Sequence, residues 1–221
     1  MLTLIFANGD LADTSELPDL QGRADLIIAV DGGANHCREL RIIPDALIGD
    51  FDSVSPAVLK EFQEQSVAIH RHPAKKDATD LELALDFAIA KGAREVWLLG
   101  GLGGRWDMSF ANILLIAGDT YKALNFTVPG PDCIMHVLHP GKPFTLHGMP
   151  GQKVSLLPLR GDVQDLSLHG FEYPLKNATL RFGSTHGVSN VLQKPGATVQ
   201  FNSGVLLCIR MTTPAYNKIR D

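Results

Sequence analysis

Two textures meet near residue 130 of this chain, and one layer of secondary structure cannot hold both. Up to about residue 128, short apolar runs recur: LTLIFA (2–7), LIIAV (26–30), DALIG (45–49), VAIH (67–70), EVWLLG (95–100) and NFTV (125–128). Between several of them lie stretches of helical period. Over 79–91, Leu81, Ala84, Leu85, Ala88 and Ile89 fall at i, i+3, i+4, i+7 and i+8. Ser55-Pro56 starts a second helix, a cap followed by proline at the first helical position, with Val58, Leu59 and Phe62 as its stripe. A third runs from Trp106 to Ala117 through Phe110, Ile113 and Leu114. Continuous apolar strands alternating with helices predict a largely parallel sheet covered on both faces.

After VPGPDC the helical period disappears. MHVLHPGKP, FTLHGMPGQ, KVSLLPLRGD, VQDLSLHGF, ATLRFGSTHG, VSNVLQKPGA, TVQFNSG and VLLCIRM read as short strands separated by Gly/Pro turns. That spacing predicts a small antiparallel β-sandwich or barrel. The expected organisation is an α/β domain over 1–130 and an all-β domain over 131–221. A length of 221 residues lets each bury a core of its own.

The net charge of −4, with no block of Lys or Arg, argues against a duplex nucleic-acid binder, which needs a basic face. Cys37, Cys133 and Cys208 are far apart and form no CxxC pair, so neither a zinc knuckle nor a disulfide framework is expected. Free thiols suit a reducing cytoplasm. The opening LTLIFA lacks a basic flank and reads as a strand instead of a signal peptide. No apolar stretch reaches the roughly 20 residues that span a bilayer.

Six aspartates stand where predicted strands run out: Asp31 in AVDGGAN, Asp50 and Asp52 in LIGDFDSV, Asp77 and Asp80 in KKDATDLE, and Asp107 in GGLGGRWD. Carboxylates repel, so folding alone gives no reason to gather them; a divalent cation and a polyphosphate would. In open parallel sheets, ligands sit beyond the carboxyl ends of the strands, where these segments fall. If strand geometry persists through Asp52, Asp50 and Asp52 face the same way and can share one Mg²⁺. GDFDS is also an ordinary acidic turn. Asp31-Gly32-Gly33 places glycines at a strand-to-helix junction that favours anions, or is a plain βα turn.

LGGLGGR is stronger. Gly100, Gly101, Gly103 and Gly104 lead into a helix beside Arg105, which suits a backbone that must approach a ligand closely. Trp106 stands where a dinucleotide fingerprint needs its third glycine, and Gly141-Lys142 is followed by Pro143, so no GK[ST] phosphate loop exists. In KKDATDLELAL, Thr79 and Glu82 form a capping box and Asp80 suits the helix start. Capping leaves Asp77, Lys75 and Lys76 unexplained; lysine for phosphate and carboxylate for metal would explain them. Asp107 also reads as a favourable first-turn charge. The eight histidines show no HxxxH or HExxH spacing, and no G-x-S-x-G elbow appears, so nucleophilic catalysis is unsupported.

Taken in order, DGGAN, PDALIGDFDS, KDATDLELAL and GGLGGRWD…N, followed by FEYPLKNATLRFGSTHGVSN, resemble the motifs of the thiamine pyrophosphokinase family over residues 1 to about 210. The resemblance implies an α/β nucleotide-binding domain followed by a β-sandwich that binds thiamine. It implies a homodimer with active sites shared between subunits. It also implies transfer of the pyrophosphoryl group of ATP to the thiamine hydroxyl, with Mg²⁺ and release of AMP. Carried over, Asp50, Asp52, Asp77 and Asp80 would be the catalytic acids, with Asp50, Asp52 and Asp77 holding metal. Asp31, Gly32, Gly33, Lys76, the glycines 100 to 104, Arg105 and Asp107 would lie on the nucleotide side, and Ser189 and Asn190 on thiamine. Many bacterial members carry a histidine where this chain has Met108, so no histidine base is expected. Two rival readings share parts of this pattern: a diphosphokinase for another alcohol, such as a hydroxymethylpterin, and a non-catalytic regulator that binds nucleotide or thiamine diphosphate. The STHGVSN segment favours thiamine, and the number of carboxylates favours catalysis.

Overall fold

The computed structural model describes residues 1–12, 15 and 17–212; residues 213–221, the end of the expected all-β domain, lie outside them. The chain divides into two compact units, one of residues 1–115 and 123–131, the other of 116–122 and 132 onward.

In the first unit, six strands pair in parallel in the order β4-β3-β2-β1-β5-β6. They are β1 (Leu2–Phe6), β2 (Leu26–Val30), β3 (Ala46–Gly49), β4 (Ala68–Arg71), β5 (Glu95–Leu99) and β6 (Asn125–Pro129). The central strands β1, β2 and β3 are buried at every position, which is why they read as unbroken apolar runs. Between them run α1 (Leu17–Arg23), α2 (Gly33–Glu39), α3 (Pro56–Glu64), α4 (Asp80–Ala90) and α5 (Trp106–Ile116). α3 starts at Ser55, whose hydroxyl accepts from Val58 N–H at 3.3 Å, and α4 at Thr79, which accepts from Glu82 N–H at 3.2 Å. A core of Leu4, Phe6, Ala29, Leu47, Phe51 and Phe62 fills one side of the sheet.

The stripe expected on α5 is rotated. Ser109, Asn112, Ile113 and Ile116 are buried, whereas Trp106 (88% exposed), Phe110 (61%) and Leu114 (46%) stand outward. Ile89 of α4 is likewise exposed. The rest of the α4 stripe, Leu81, Ala84, Leu85 and Ala88, is buried as expected, whereas α5 is apolar nearly all round, so its period does not by itself choose the inner face.

In the second unit, residues 132–212 form antiparallel strands: β7 (Cys133–Leu138), β8 (Phe144–Leu146), β9 (Lys153–His169), β10 (Leu175–Leu180), β11 (Asn190–Val191), β12 (Ala197–Gln200) and β13 (Ser203–Met211). KVSLLPLRGD and VQDLSLHGF, expected as two strands, are the single 17-residue β9. Gly161 takes φ 65° and the β13 register shifts between Ser203 and Leu206, so β9 bends without stopping. Its first part pairs with β13 and its last part with β10 and β12, so it passes from one sheet to another as strands do at sandwich corners. Leu146, Val154, Leu156, Val163, Leu168, Leu192 and Leu206 make this unit's own core. The 3₁₀ turn Asp119–Tyr121 joins β9 through a two-bond pair, Arg160 to Asp119, at 2.8 and 2.9 Å.

Among the described residues, no helix is long and apolar enough to cross a membrane.

Candidate active site

The parallel strands of the first unit all end at one edge, and β1 lies where the winding reverses: β2 follows on one side, β5 on the other. Ligands bind at such a reversal because the loops after neighbouring strands diverge there. A cavity of about 520 Å³ opens at this edge. It is lined by Asn8 and Gly9 after β1, Asp31 after β2, Asp50, Asp52 and Ser53 after β3, Lys76 and Asp80 before and on α4, and the glycine loop after β5.

One carboxylate oxygen from each of Asp31, Asp50 and Asp52 lies within 4.8 Å of the other two. The route by which Asp50 and Asp52 meet differs from the expected strand alternation. β3 stops at Gly49, and Phe51 adopts φ 67°. Asp52 N–H then donates to Asp50 Oδ1 at 3.0 Å, and Ser53 Oγ donates to Asp52 Oδ1 at 2.8 Å. The pair is set by a tight turn, not by a strand. A left-handed conformation costs a non-glycine residue about 1–2 kcal/mol. Burying the Phe51 ring, 7% exposed, is worth about 1.5–3 kcal/mol, so the core holds the turn despite its backbone. Arg71, at the end of β4, adds to this: its guanidinium lies 4.8 Å from the Phe51 ring centroid, and Nη1 donates to Asp50 O at 2.9 Å.

Asp31 is itself left-handed, at φ 45°. Burial pushes its carboxyl above the ordinary value of 3.8, against hydrogen bonds from Ser53 and Gly32 that lower it, and the charges of Asp52 and Asp50 raise it further. Its Oδ1 is buried with no hydrogen-bond donor among the described residues. Three oxygen donors with one left unsatisfied are what a hard divalent cation such as Mg²⁺ takes, and no soft nitrogen or sulfur donor intrudes.

Two cations and the glycine loop line the same cavity as these acids. Lys76 Nζ stands 2.9 Å from Asp80 Oδ1 and donates to Pro73 O at 3.0 Å. Arg105 lines the cavity and forms a two-bond pair with the exposed Asp107, which holds the Asp107 carboxyl below its ordinary range. The glycine loop is braced from both sides. Asn112 Nδ2 donates to Gly101 O at 2.8 Å, and Gly103 N–H donates to Ser109 Oγ at 3.1 Å. Asp10 Oδ2 accepts from Gly104 N–H at 3.3 Å, while Asp10 N–H donates to Leu102 O at 2.8 Å. Gly103 sits at φ 92°, and a Cβ there would run into the Asp10 carboxylate, so this position admits no other residue without moving Asp10. His36 Nε2 meets Gly9 O at 2.8 Å from α2.

Of the residues expected from sequence, Asp31, Asp50, Asp52, Lys76, Asp80, Gly100, Gly101, Gly103, Gly104 and Arg105 line the cavity. Gly32 and Gly33 are buried at the start of α2, where a side chain at Gly33 would meet Phe6 O. Asp77 is exposed and outside both the lining and the three-acid cluster, and Asp107 reaches the site only through Arg105. Ser189 and Asn190 belong to the second unit, where Ser189 is left-handed at φ 63° and Asn190 is buried. Asn8, Asp10, His36, Arg71 and Ser109 were not anticipated, nor was a role for Asn112. Their only local signals are the NGD triplet after β1 and the Arg71 that ends β4.

Two family models match the chain: "Thiamin pyrophosphokinase, catalytic domain" over residues 17–127 and "Thiamin pyrophosphokinase, vitamin B1 binding domain" over 136–206. Thiamine pyrophosphokinase of Bacillus subtilis is 33% identical over 199 residues, covering 89% of this chain and 93% of that one. Thiamine pyrophosphokinase 2 of Oryza sativa is 26% identical over 220 residues, covering 88% and 81%. The crystal structure of the Bacillus subtilis enzyme superposes with a TM-score of 0.83 at 32% identity over 96% of this chain and 99% of that one. That of Geobacillus thermodenitrificans thiamin pyrophosphokinase gives 0.83 at 31% over 97% and 99%. With both halves matched by their own family models and close relatives covering nearly its full length, the chain belongs to the thiamin pyrophosphokinase family.

Proposed function

We propose that this chain transfers the pyrophosphoryl group of ATP to the hydroxyl of thiamine, giving thiamine diphosphate and AMP. The observation that carries the reading is the cavity that Asp31, Asp50 and Asp52 share with Lys76, Arg105 and a braced glycine loop, in a chain of this family. The first unit is the ATP-binding catalytic domain and the second the thiamine-binding domain.

Attack of a hydroxyl on the β-phosphorus brings an oxygen towards a polyanion, so the site must neutralise charge where it develops. Lys76 and Arg105 do so from the chain's own side, and the glycine loop lets the backbone come close. Asp31, Asp50 and Asp52 would hold Mg²⁺, whereas Asp77, expected to join them, stands outside that cluster. When bound, Mg²⁺ withdraws charge from the phosphate oxygens. Asp80 orients Lys76. The acidic rim also suits the cationic thiazolium ring of thiamine. Ser189 and Asn190 serve the thiamine side.

The assembly in this reading is a homodimer with active sites shared between subunits, in the reducing cytoplasm. Its support is the exposed row Trp106, Phe110 and Leu114 on α5, an apolar surface of the kind that subunit contacts cover. Three buried, unpaired thiols suit that compartment.

The test is incubation with Mg-ATP and thiamine, or a hydroxymethylpterin, followed by separation of nucleotides and diphosphate products. AMP and thiamine diphosphate in equal amounts are expected. AMP with the pterin alone would move the substrate to another alcohol, and no AMP with any alcohol would leave a binding regulator. Asp52→Asn should keep the fold and lose most AMP release.

A further inference from the structure

The turn that presents Asp50 and Asp52 is held in a conformation its central residue disfavours, with Phe51 at φ 67°, and three like charges press on it. The buried Phe51 ring anchors the side chain and Phe51 O accepts from Val54 N–H at 3.4 Å, but neither contact holds the Asp50 carbonyl. Arg71 supplies that missing restraint: one group, its guanidinium, covers the Phe51 ring at 4.8 Å and donates to Asp50 O at 2.9 Å. The strand beneath it does not depend on this side chain, since His72 N–H donates to Gly49 O at 2.9 Å and β4 pairs with β3 through backbone alone. Arg71 is exposed, so it is not a core residue.

We propose that Arg71 is a positioning residue that clamps the Asp50–Phe51–Asp52 turn and so fixes the two carboxylates for a divalent cation. The proposal rests on reading the Asp31, Asp50 and Asp52 cluster as a cation site. A guanidinium that acted only as a nearby positive charge would have the opposite effect, because it would compete with the cation for the same carboxylates. The sign of one measurement therefore separates a clamp from a counter-charge.

The experiment titrates Mn²⁺ into the full chain and follows the electron-paramagnetic-resonance signal of the free ion, for the wild type, Arg71→Ala and Arg71→Lys. The metal-free melting temperature of each is recorded in parallel. Arg71→Ala is expected to weaken Mn²⁺ binding about tenfold, the scale of lost support around a metal ligand. Arg71→Lys is expected to weaken it too, because an ammonium cannot lie flat on the ring and donate in the same geometry. Metal-free melting should stay within about 2 °C of wild type, as for other exposed substitutions. Unchanged or tighter binding by Arg71→Ala, or wild-type binding by Arg71→Lys, overturns the clamp. So does weaker binding accompanied by a larger fall in metal-free melting, which would make Arg71 a structural residue only. If the wild type itself takes up no Mn²⁺, the cation reading fails and the clamp with it; if wild type and Arg71→Ala bind alike, only the clamp fails.

Discussion

The Asn190 side chain and the Tyr173 backbone close a two-bond ring: Tyr173 N–H donates to Asn190 Oδ1 at 3.0 Å, and Asn190 Nδ2 donates to Tyr173 O at 2.9 Å. Val191 N–H adds a third bond to the same Oδ1 at 2.8 Å. Asn190 is only 8% exposed, so its amide works as a brace for the Tyr173-Pro174 segment. Asn190→Ala should destabilise the chain by about 1–3 kcal/mol, the cost of leaving buried backbone groups unpaired. Asn190→Asp keeps the acceptor but loses the donor and buries a charge, so it should be no milder. The KM for thiamine should rise while that for ATP stays constant. Thermal denaturation and two-substrate kinetics check this; an unchanged melting curve with a raised thiamine KM would put the amide on the substrate instead.

Asp31 gives a prediction in pH. Its folded carboxyl titrates above the ordinary 3.8, chiefly through burial, with Asp52 and Asp50 adding repulsion against the hydrogen bonds from Ser53 and Gly32. The native state therefore holds that proton more tightly than the unfolded chain. Metal-free stability attributable to this group falls as pH rises from the unfolded value through the raised folded value, and stays lower above it. Asp31→Asn removes the penalty. Its metal-free melting temperature near neutral pH should exceed that of wild type, and the gap should close as pH falls towards about 4. The same substitution should abolish stabilisation by Mg²⁺. Melting curves from acid to neutral pH, with and without Mg²⁺, test both; a variant that melts lower at neutral pH without metal contradicts the account.

The parallel sheet was legible because burial on both faces demands unbroken apolar strands, as Leu4, Ile5, Ile28 and Leu47 show by having no exposed surface. α3 and α4 were legible because Ser55 and Thr79 announce their starts chemically. α1 was not, since seven residues with only Leu17 and Leu20 buried carry too little period to read. Gly161-Asp162 looks like a turn, and only the partners waiting in two sheets make it a bend inside β9. The aspartates could be found from sequence, but their mutual geometry could not. It depends on a left-handed phenylalanine, and local pattern rarely places a bulky residue there. Asp10, His36 and Arg71 act on backbone groups far away along the chain, so their local signals, where there are any, do not reveal what they hold.

The Asp10 brace predicts a non-additive pair. Asp10→Ala frees Gly104 N–H and should raise the KM for ATP severalfold with the thiamine KM unchanged, whereas Asp10→Asn keeps an acceptor and should recover part of the loss. Gly103→Ala meets both a left-handed φ and the Asp10 carboxylate, so it should be worse than Asp10→Ala. Removing the carboxylate takes away the two nearest clashes, with Oδ2 and Cγ, but leaves the β-carbon of residue 10 at 2.6 Å, so it relieves that conflict in part. The Gly103→Ala/Asp10→Ala double variant should therefore lose less than the sum of the single losses, by about 0.5 kcal/mol or more. Steady-state kinetics on the four proteins measures the coupling, and strict additivity would show that Asp10 does not press on Gly103.

Lys76 and Asp80 form an i,i+4 pair at 2.9 Å, and both line the cavity. Two roles for the pair make different predictions. If Lys76 exists only to neutralise Asp80, then Lys76→Met impairs the protein by leaving Asp80 uncompensated, and adding Asp80→Asn restores activity. If Lys76 meets phosphate and Asp80 orients it, the double variant lacks both functions and stays impaired. The charge demands of pyrophosphoryl transfer favour the second case. Lys76→Met should raise the KM for ATP and lower kcat, the double variant should be no better than Lys76→Met, and Lys76→Arg should recover binding more than turnover because its charge is held in a different geometry. AMP release at varied ATP, measured for the two single variants and the double, distinguishes the roles. Recovery towards wild-type turnover in the double variant would reduce Lys76 to a counter-charge.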